Sequence, residues 1–366
     1  YLDGFLHGAL VTRSWVHTVG HSRICAALSA GAAVTMLSQC VYVEPWAWAL
    51  MRLLTGFAFS TIYVVSESWL NQSSNNANRG QILSIYTTIL LAGICAGQFM
   101  LNLANPMDFT LFILISVMVS VAAVPILLSV IITPAIEETE RVSIRHLLYR
   151  TPMGVTGIIL SQWVSSILFG MGAVYATKLG FSVYQVANFM GAMMAGGMIL
   201  QWPLGMGSDV VVRRWVICVA CRMAVLFALL ISRESEASIR LYVLIFMFGG
   251  CSLSLYSIVV ALTNDHLRPS EIVPASGTIV LIAGLTSITG PITAVFWLQI
   301  FGLQSFFVLL ASCLLVLAGI SLWRLLTIEA LPSEYKGQVI LQAATAPVGT
   351  ILHAEDEQIE APSGSY

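Results

Sequence analysis

Two ionisable residues, Asp3 and His7, lie within the apolar stretch that opens the chain. They are four residues apart, so in a helix their side chains share one face. A carboxylate beside an imidazole, both shielded from water, is able to exchange a proton near neutral pH. The alternative is a polar bridge that only satisfies the hydrogen bonds of the two side chains. The spacing makes Asp3 and His7 candidates for proton coupling.

Arg52 is a third candidate, because it lies several residues inside the apolar run 46–70. A charge at the centre of a membrane-spanning helix costs at least about 2.5–3.5 kcal/mol, so such residues are usually functional. The alternative is an arginine whose side chain extends to the membrane surface beside Trp46 and Trp48. The position of Arg52 makes it a candidate functional residue.

The composition indicates the class of protein in which these residues act. Of the 366 residues, 58% are hydrophobic and only 9% are charged, whereas a soluble domain carries about 25% charged residues. The mean hydropathy is +0.87. A soluble enzyme, a nucleic-acid-binding protein and a disordered scaffold are therefore excluded as descriptions of the whole chain. The class that remains is an all-α polytopic membrane protein.

A helix that crosses a bilayer needs about 20 mostly apolar residues. The chain contains a short first run at 1–14 and ten longer ones, at 24–43, 46–70, 81–103, 109–132, 153–177, 183–204, 215–232, 239–262, 274–298 and 305–326. They predict four segments: an N-terminal transmembrane bundle (1–132), a central loop (133–152), a C-terminal transmembrane bundle (153–326) and a disordered acidic tail (327–366).

Basic residues in short loops indicate which side of the membrane each loop faces. When the central loop and the tail are placed in the cytoplasm, Lys178, Arg233 and Arg240 face the other side. Eleven basic residues then face the cytoplasm: Arg13, Arg23, Arg79, Arg141, Arg145, Arg150, Arg213, Arg214, Arg268, Arg324 and Lys336. This bias supports both the orientation and the number of spans.

The two halves of the chain carry similar loops at matching places. A glycine-rich helix end leads into a short basic loop at 4–23 and again at 203–214. A second pair of similar segments, 64–79 and 259–268, ends each corresponding helix with an acidic or amide residue before an arginine. Charged residues here would pair to close the cytoplasmic side and separate when it opens, or would form static surface ion pairs worth about 0–1 kcal/mol. The candidate gate residues are Arg13, Arg23, Glu67, Asp209, Arg213, Arg214 and Asp265.

These segments resemble the major facilitator superfamily (MFS). The loop around Asp209, Arg213 and Arg214 is similar to the family's loop motif, and Arg52-Leu-Leu-Thr-Gly56 is similar to its helix 4 motif. Within the family, 66–71, 79–86 and 201–205 look like the uncharacterised YcaD-type branch. The resemblance implies two six-helix bundles, a first helix that precedes Tyr1, and a role for Arg52 in proton or substrate coupling.

A transporter of this kind needs polar and aromatic side chains at mid-depth on its inner helices. Each candidate could equally be a packing residue, and as a set they describe a cavity with little fixed charge, which favours a neutral, amphipathic or weakly charged solute. The candidates are Tyr63, Gln98, Gln162, Trp163, Tyr175, Asn188 and Tyr256.

The central loop contains a short amphipathic pattern. Ser143 is placed to cap a turn of helix that has Ile144, Leu147 and Leu148 on one side, and this turn would lie on the membrane surface and link the two halves. The sequence has no phosphate-binding loop, and we expect neither a metal ion nor a cofactor.

The sequence thus predicts a secondary transporter in a bacterial inner membrane, a monomer whose partners are a small solute, the lipid bilayer and protons, with no nucleic acid. It would work by alternating access and would not be an enzyme. One alternative is a facilitative uniporter in which Arg52 is structural. The other is a sensor or assembly protein that has the same fold and transports nothing.

Overall fold

The helices of the protein follow the apolar runs of its sequence. The computed structural model describes Gly8 and residues 20–73, 79–105, 108–128 and 143–327. Its helices, numbered here along the chain, are α1 (His21–Val41), α2 (Pro45–Ser73), α3 (Arg79–Met100), α4 (Thr110–Leu128), α5 (Ile144–Arg150), α6 (Pro152–Lys178), α7 (Val183–Val210), α8 (Arg213–Ile231), α9 (Ile239–Leu253), α10 (Leu255–Asn264), α11 (Pro269–Phe301) and α12 (Phe306–Thr327).

Within these residues, eight helical stretches are long and apolar enough to cross a membrane, and α9 and α10 together form one of them. Shorter apolar stretches lie in α3 and α4. The ten longer predicted runs therefore all appear as helices, while the first run, 1–14, lies outside the described residues except for Gly8. The protein is an all-α membrane protein that crosses the bilayer many times.

Two boundaries differ from those that hydropathy predicts. Helix α11 begins at Pro269, five residues before the apolar run, because proline fits the first turn of a helix and needs no hydrophobic neighbours there. The run 239–262 divides at Ser254, whose hydroxyl donates to the Gly250 carbonyl at 2.6 Å. A serine hydroxyl that bonds to the backbone in this way competes with the regular backbone hydrogen bonds of the helix and bends it.

Short helix α5 agrees with the pattern in the central loop. The Ser143 hydroxyl accepts a hydrogen bond from the His146 backbone N–H at 3.2 Å, so Ser143 is the N-cap. Leu147 is fully buried against the C-terminal helices, whereas Ile144 and Leu148 are 44% and 47% exposed. One leucine thus anchors α5 to the protein.

The helices form two groups. Helix α1 packs on α2 and α4, and helices α6 to α12 pack on one another. Between the described helices of the two groups, the substantial contact is that of α3 with α7. Cys95 and Ile94 of α3 belong to the hydrophobic core of the C-terminal group, so α3 joins the two groups.

Glycines let α7 and α9 approach until their backbones touch. A Cβ atom at Gly196 would collide with the carbonyl oxygen of Phe246, and one at Gly249 would collide with that of Met193. Lipid tails are as apolar as leucine, so membrane helices associate through such close packing rather than through the hydrophobic effect. These reciprocal contacts fix α7 and α9 as a pair.

The contacts between helix ends define two ends of the C-terminal group. At the basic end, marked by Arg213, Arg214, Arg268 and Arg324, α8 begins and α10 and α12 end. At the opposite end, the ring of Tyr175 stacks on Phe306 with centroids 4.7 Å apart. The helices therefore alternate in direction, as short loops between spans require.

The glycine contacts predict a specific loss of stability. Gly196→Ala should lower the free energy of unfolding by about 1–3 kcal/mol, because the new methyl group meets backbone that cannot move aside. Gly319→Ala is the matched control, since a Cβ atom there has nothing within 4 Å. Thermal unfolding of the purified protein in detergent measures both changes. Equal melting temperatures for the two variants would contradict the packing described here.

Candidate functional site

Some of the predicted site residues lie outside the described part of the chain. Asp3, His7 and Arg13 are among them, and so is the side chain of Glu67, although its backbone belongs to α2. Arg23 is exposed in the first turn of α1. The predicted gate in the N-terminal half and the predicted proton pair therefore stay predictions.

Arg52 lies in α2, seven residues after Pro45, which places it about 10 Å along the helix. Its side chain is exposed, whereas Thr55 is fully buried and its hydroxyl lies 3.0 Å from that of Thr35 in α1. An arginine at this depth is costly unless water or polar groups reach it. Arg52 is thus accessible at this depth in the described structure.

A buried polar pair links α6 to α11. The Gln162 amide nitrogen donates to the Ser287 hydroxyl at 2.9 Å, and the two residues are 8% and 6% exposed. Ser287 in turn donates to the Ala283 carbonyl at 2.8 Å. Both residues lie well inside long apolar helices, where a polar pair is expected to serve helix association or ligand contact.

The same two helices approach closely one turn further along. A Cβ atom at Gly290 would collide with the Ser166 hydroxyl, and one at Gly170 would lie 2.8 Å from the Pro291 ring. Trp163 is partly exposed beside this contact. Gly290 thus allows α6 and α11 to approach each other closely. Helix α11 continues past Pro291 and ends at Phe301.

The remaining cavity candidates separate into two groups by burial. Tyr175 and Tyr256 are 2% exposed and lie in the core of the C-terminal group, where Tyr175 contacts Phe306, so neither ring reaches an open space in this conformation. Tyr63, Gln98 and Asn188 are partly exposed. These three residues stay candidates for the cavity.

Sequence reasoning missed Ser287 and Trp297. Ser287 lies 125 positions from its partner Gln162, and nothing in a single sequence signals such a pair. Trp297 carries an indole nitrogen that is buried and has no hydrogen-bond partner in the described structure. Its ring lies 4.3 Å from that of Phe301, so from the sequence it resembles an ordinary packing residue.

A buried ion pair forms at the basic end. The Arg213 Nε lies 3.0 Å from an Asp265 carboxylate oxygen, and an Arg213 Nη lies 3.2 Å from Asp209. The side chains of Arg213 and Asp265 are 1% and 5% exposed, while that of Asp209 is 33% exposed. This cluster joins the end of α7, the start of α8 and the end of α10, so Asp209, Arg213 and Asp265, three of the four predicted gate residues of the C-terminal half, meet in one place.

Asp209 pairs with Arg213, one helical turn later in the chain, at an (i, i+4) spacing that suits an ion pair.

Arg214 turns toward α12 rather than toward the acidic residues that bind Arg213. One Nη donates to the backbone carbonyl of Arg324 at 3.3 Å, and the other lies 3.5 Å from the His266 Nε2. The Ser321 hydroxyl donates to the Arg214 carbonyl at 2.7 Å. The adjacent arginines therefore have different surroundings.

A second polar contact at this end connects α5 with α11. The His146 Nε2 lies 3.2 Å from a Glu271 carboxylate oxygen. A hydrogen bond from the Arg268 backbone N–H lowers the pKa of Glu271, and the nearby His146 and Arg150 lower it further. The contact is therefore strongest above the ordinary carboxyl pKa and is lost as the pH falls through the lowered value.

Residues 4–279 match the family model described as Major Facilitator Superfamily. The chain is 24% identical over 314 residues to an uncharacterised MFS-type transporter of Yersinia pestis, with 85% of this chain and 81% of the relative covered. The uncharacterised MFS-type transporter YcaD of Escherichia fergusonii gives the same identity and coverage over 314 residues.

Two solved structures have a similar fold. A bacterial homologue of the human lysosomal transporter Spinster, inward-facing and unoccupied, has a TM-score of 0.69 at 12% identity, with 88% of this chain and 86% of that chain covered. The MFS transporter FucP in the outward conformation has a TM-score of 0.56 at 13% identity, with 88% of each chain covered.

The buried ion pair predicts unequal effects of two similar substitutions. Asp265→Asn should lower the free energy of unfolding by up to about 3–5 kcal/mol, because it removes the buried one of the two carboxylates that pair with a buried guanidinium. Glu234→Gln breaks the ion pair with Arg240, whose side chain is 69% exposed, and should change stability by at most about 1 kcal/mol. Chemical or thermal unfolding in the same detergent compares them, and equal losses would refute the assignment of a buried pair.

Proposed function

The chain belongs to the major facilitator superfamily, and from that premise we propose that it moves a small solute by alternating access and couples this movement to protons. The family consists of membrane transporters rather than enzymes, so membrane transport is the activity to be explained. Residues 1–132 and 153–326 are the two halves that move, residues 133–152 link them, and residues 327–366 are an acidic tail.

The contact of α3 with α7 is the observation that best supports alternating access. The Cys95 thiol lies 3.9 Å from the Gly191 carbonyl oxygen, and the Phe99 ring fills the space where a Cβ atom of Gly191 would lie. All three residues lie nearer the opposite end, toward the end of α3 and the start of α7. A narrow seam of this kind lets two rigid groups of helices rock against each other.

The position of this contact supports closure of the opposite end and access from the basic end. The basic end is the cytoplasmic end of a protein in a bacterial inner membrane, as the excess of basic residues in its loops favours. The conformation is then inward-facing.

The solute site lies between the halves, where Arg52 and the partly exposed Tyr63, Gln98, Trp163 and Asn188 are available. Tyr175 and Tyr256 line no open space in this conformation and enter the site only if the C-terminal core rearranges. With Arg52 as its main fixed charge, the site suits a neutral, amphipathic or weakly charged solute.

Arg52 is the proposed coupling residue, together with Asp3 and His7, which precede α1 in the chain. An arginine that is exposed at membrane depth is able to hold a carboxylate ionised or release it as the protein changes conformation. The solved neighbour FucP is a fucose:proton symporter, which supports proton coupling as a mode open to this fold. The protein acts as a monomer in the lipid bilayer and needs no cofactor.

At the basic end, the cluster of Asp209, Arg213 and Asp265 is proposed to control the gate rather than to bind solute. Its side chains are engaged with one another. Arg13, Arg23 and Glu67 would form the matching cluster in the N-terminal half, and Arg214 supports the C-terminal one through α12.

The proposal predicts a loss of proton coupling on substitution of Arg52. A thermal-shift screen first finds a stabilising solute, since a ligand at 100 times its Kd adds about 2.7 kcal/mol. In proteoliposomes, an imposed pH gradient should drive accumulation of that solute by the wild type, and Arg52→Ala should reduce it at least tenfold. Arg222→Ala is the matched control, because Arg222 is also exposed within a span, in α8, and it should transport normally.

The outcomes separate the alternatives. Saturable flux that ignores the pH gradient would indicate a facilitative uniporter in which Arg52 is structural. No flux for any stabilising solute, together with a protein partner retained in mild detergent, would indicate a sensor or assembly protein.

A further inference from the structure

Helix α8 carries an arginine at its midpoint, on the side that faces away from its neighbours. The helix runs from Arg213 to Ile231, so Arg222 lies nine residues from either end, about 13 Å along the helix axis. The buried side of α8 packs on α9, α10 and α12, whereas Arg222 is exposed. An arginine in the middle of a span and on this side faces hydrocarbon rather than protein.

The exposed face of α8 is apolar on both sides of Arg222. Trp215 and Val219 precede the arginine, and Leu226 and Leu229 follow it, at spacings that place all five side chains on one side of a helix. The four apolar residues are 45%, 48%, 49% and 44% exposed, in chain order. Either lipid tails or another membrane helix could cover such a face, and the charge at its centre distinguishes the two.

Arg222 makes no hydrogen bond or ion pair within the part of the chain that the structure describes. The described carboxylate side chains all lie in loops or near the ends of helices, far from the middle of a span. They are Glu44, Asp108, Asp209, Glu234, Glu236, Asp265 and Glu271. The described residues of this chain, or of a second copy of it, therefore supply no carboxylate at the depth of Arg222.

The position of Arg222 calls for an opposite charge at the same depth. A guanidinium stays protonated in proteins, and a charge at the centre of a span is costly unless it faces protein, water or a charged partner. Arg222 lies equally far from both ends of α8, so extension of its side chain to either membrane surface is least effective there. A carboxylate on a neighbouring helix would accept two parallel hydrogen bonds from the guanidinium, and the low dielectric constant of the bilayer would strengthen their attraction.

We propose that the exposed face of α8 docks a transmembrane helix of another membrane protein, one that carries an aspartate or glutamate near the bilayer midplane. Arg222 pairs with this carboxylate, and the apolar residues on either side of Arg222 pack on the partner helix. Charge complementarity selects this occupant, because lipid phosphates lie at the membrane surface and not at the depth of Arg222. The proposal concerns association with a partner, so it does not rest on the transport activity proposed above.

Energy transfer between a dye at the C-terminus of the full chain and a dye on a synthetic peptide, both in phosphatidylcholine vesicles, tests the proposal. The peptide is a membrane-spanning helix of about 20 leucine and alanine residues with a glutamate at its centre. The wild type should bind it at least tenfold more tightly than the same peptide with glutamine at the centre. Arg222→Leu, which suits a lipid-facing surface and should fold, should remove this preference. Arg222→Lys keeps the charge without the planar donors and should retain part of it.

Arg233→Gln is the matched control, because Arg233 is an exposed arginine two residues beyond the end of the same helix. It should leave binding of the glutamate peptide within twofold of the wild type. A peptide whose glutamate lies about two helical turns from its centre, roughly 11 Å away, should bind as weakly as the glutamine peptide. Equal binding of the glutamate and glutamine peptides would overturn the proposal, and so would equal losses in the Arg222→Leu and Arg233→Gln variants.

Photo-cross-linking locates the bound peptide. A photoreactive side chain introduced at Leu226, on the same face as Arg222, should cross-link to the glutamate peptide, whereas one introduced at Leu315 of α12, which is 59% exposed, should not. Equal cross-linking from the two positions would show unspecific contact with the lipid-facing surface and would overturn the proposal. Energy transfer between two labelled copies of the chain without peptide, lost in Arg222→Leu, would identify a second copy as the occupant and would overturn the assignment to another protein.

Discussion

The structure depends on how helices associate in a medium without water. Hydrocarbon gives no hydrophobic drive between helices, so they are held by close packing and by a few polar contacts. Gly196 and Gly249 supply the closest approach, between α7 and α9, and Gln162 with Ser287 supplies a polar one, between α6 and α11. The C-terminal helices form a tightly packed group for this reason, while the contact of α3 with α7 between the two groups remains narrow.

The same constraint explains where the charges are. Within the described C-terminal half, Arg213 is buried and has carboxylates at 3.0 and 3.2 Å, whereas Arg214, next in the chain, donates to the Arg324 carbonyl of α12. A difference of one residue turns a helical side chain by about 100°. The two adjacent arginines thus engage different helices.

Hydropathy was sufficient to predict the helices, because each apolar span in the bilayer must form its backbone hydrogen bonds within itself, and a helix does so. Ser143 as an N-cap was also readable, since this signal is local in the chain. The burial of Leu147 without Ile144 and Leu148 was not readable. The division of α9 from α10 at Ser254 and the pairing of Gln162 with Ser287 were not, because they depend on neighbours in space. Burial of Tyr175 likewise follows from contact with Phe306, 131 positions later, which a mid-helix position does not reveal.

The central claim is that two rigid groups of helices move about the contact of α3 with α7. Distances between paired spin labels on introduced cysteines test it directly. Labels at Tyr42 and Ser235 span the opposite end, and labels at Arg23 and Arg268 span the basic end. Addition of a stabilising solute should shift these two distances in opposite directions, while a pair within the C-terminal group, at Lys178 and Arg240, stays constant. Two distances that remain fixed, or that change in the same direction, would contradict the account.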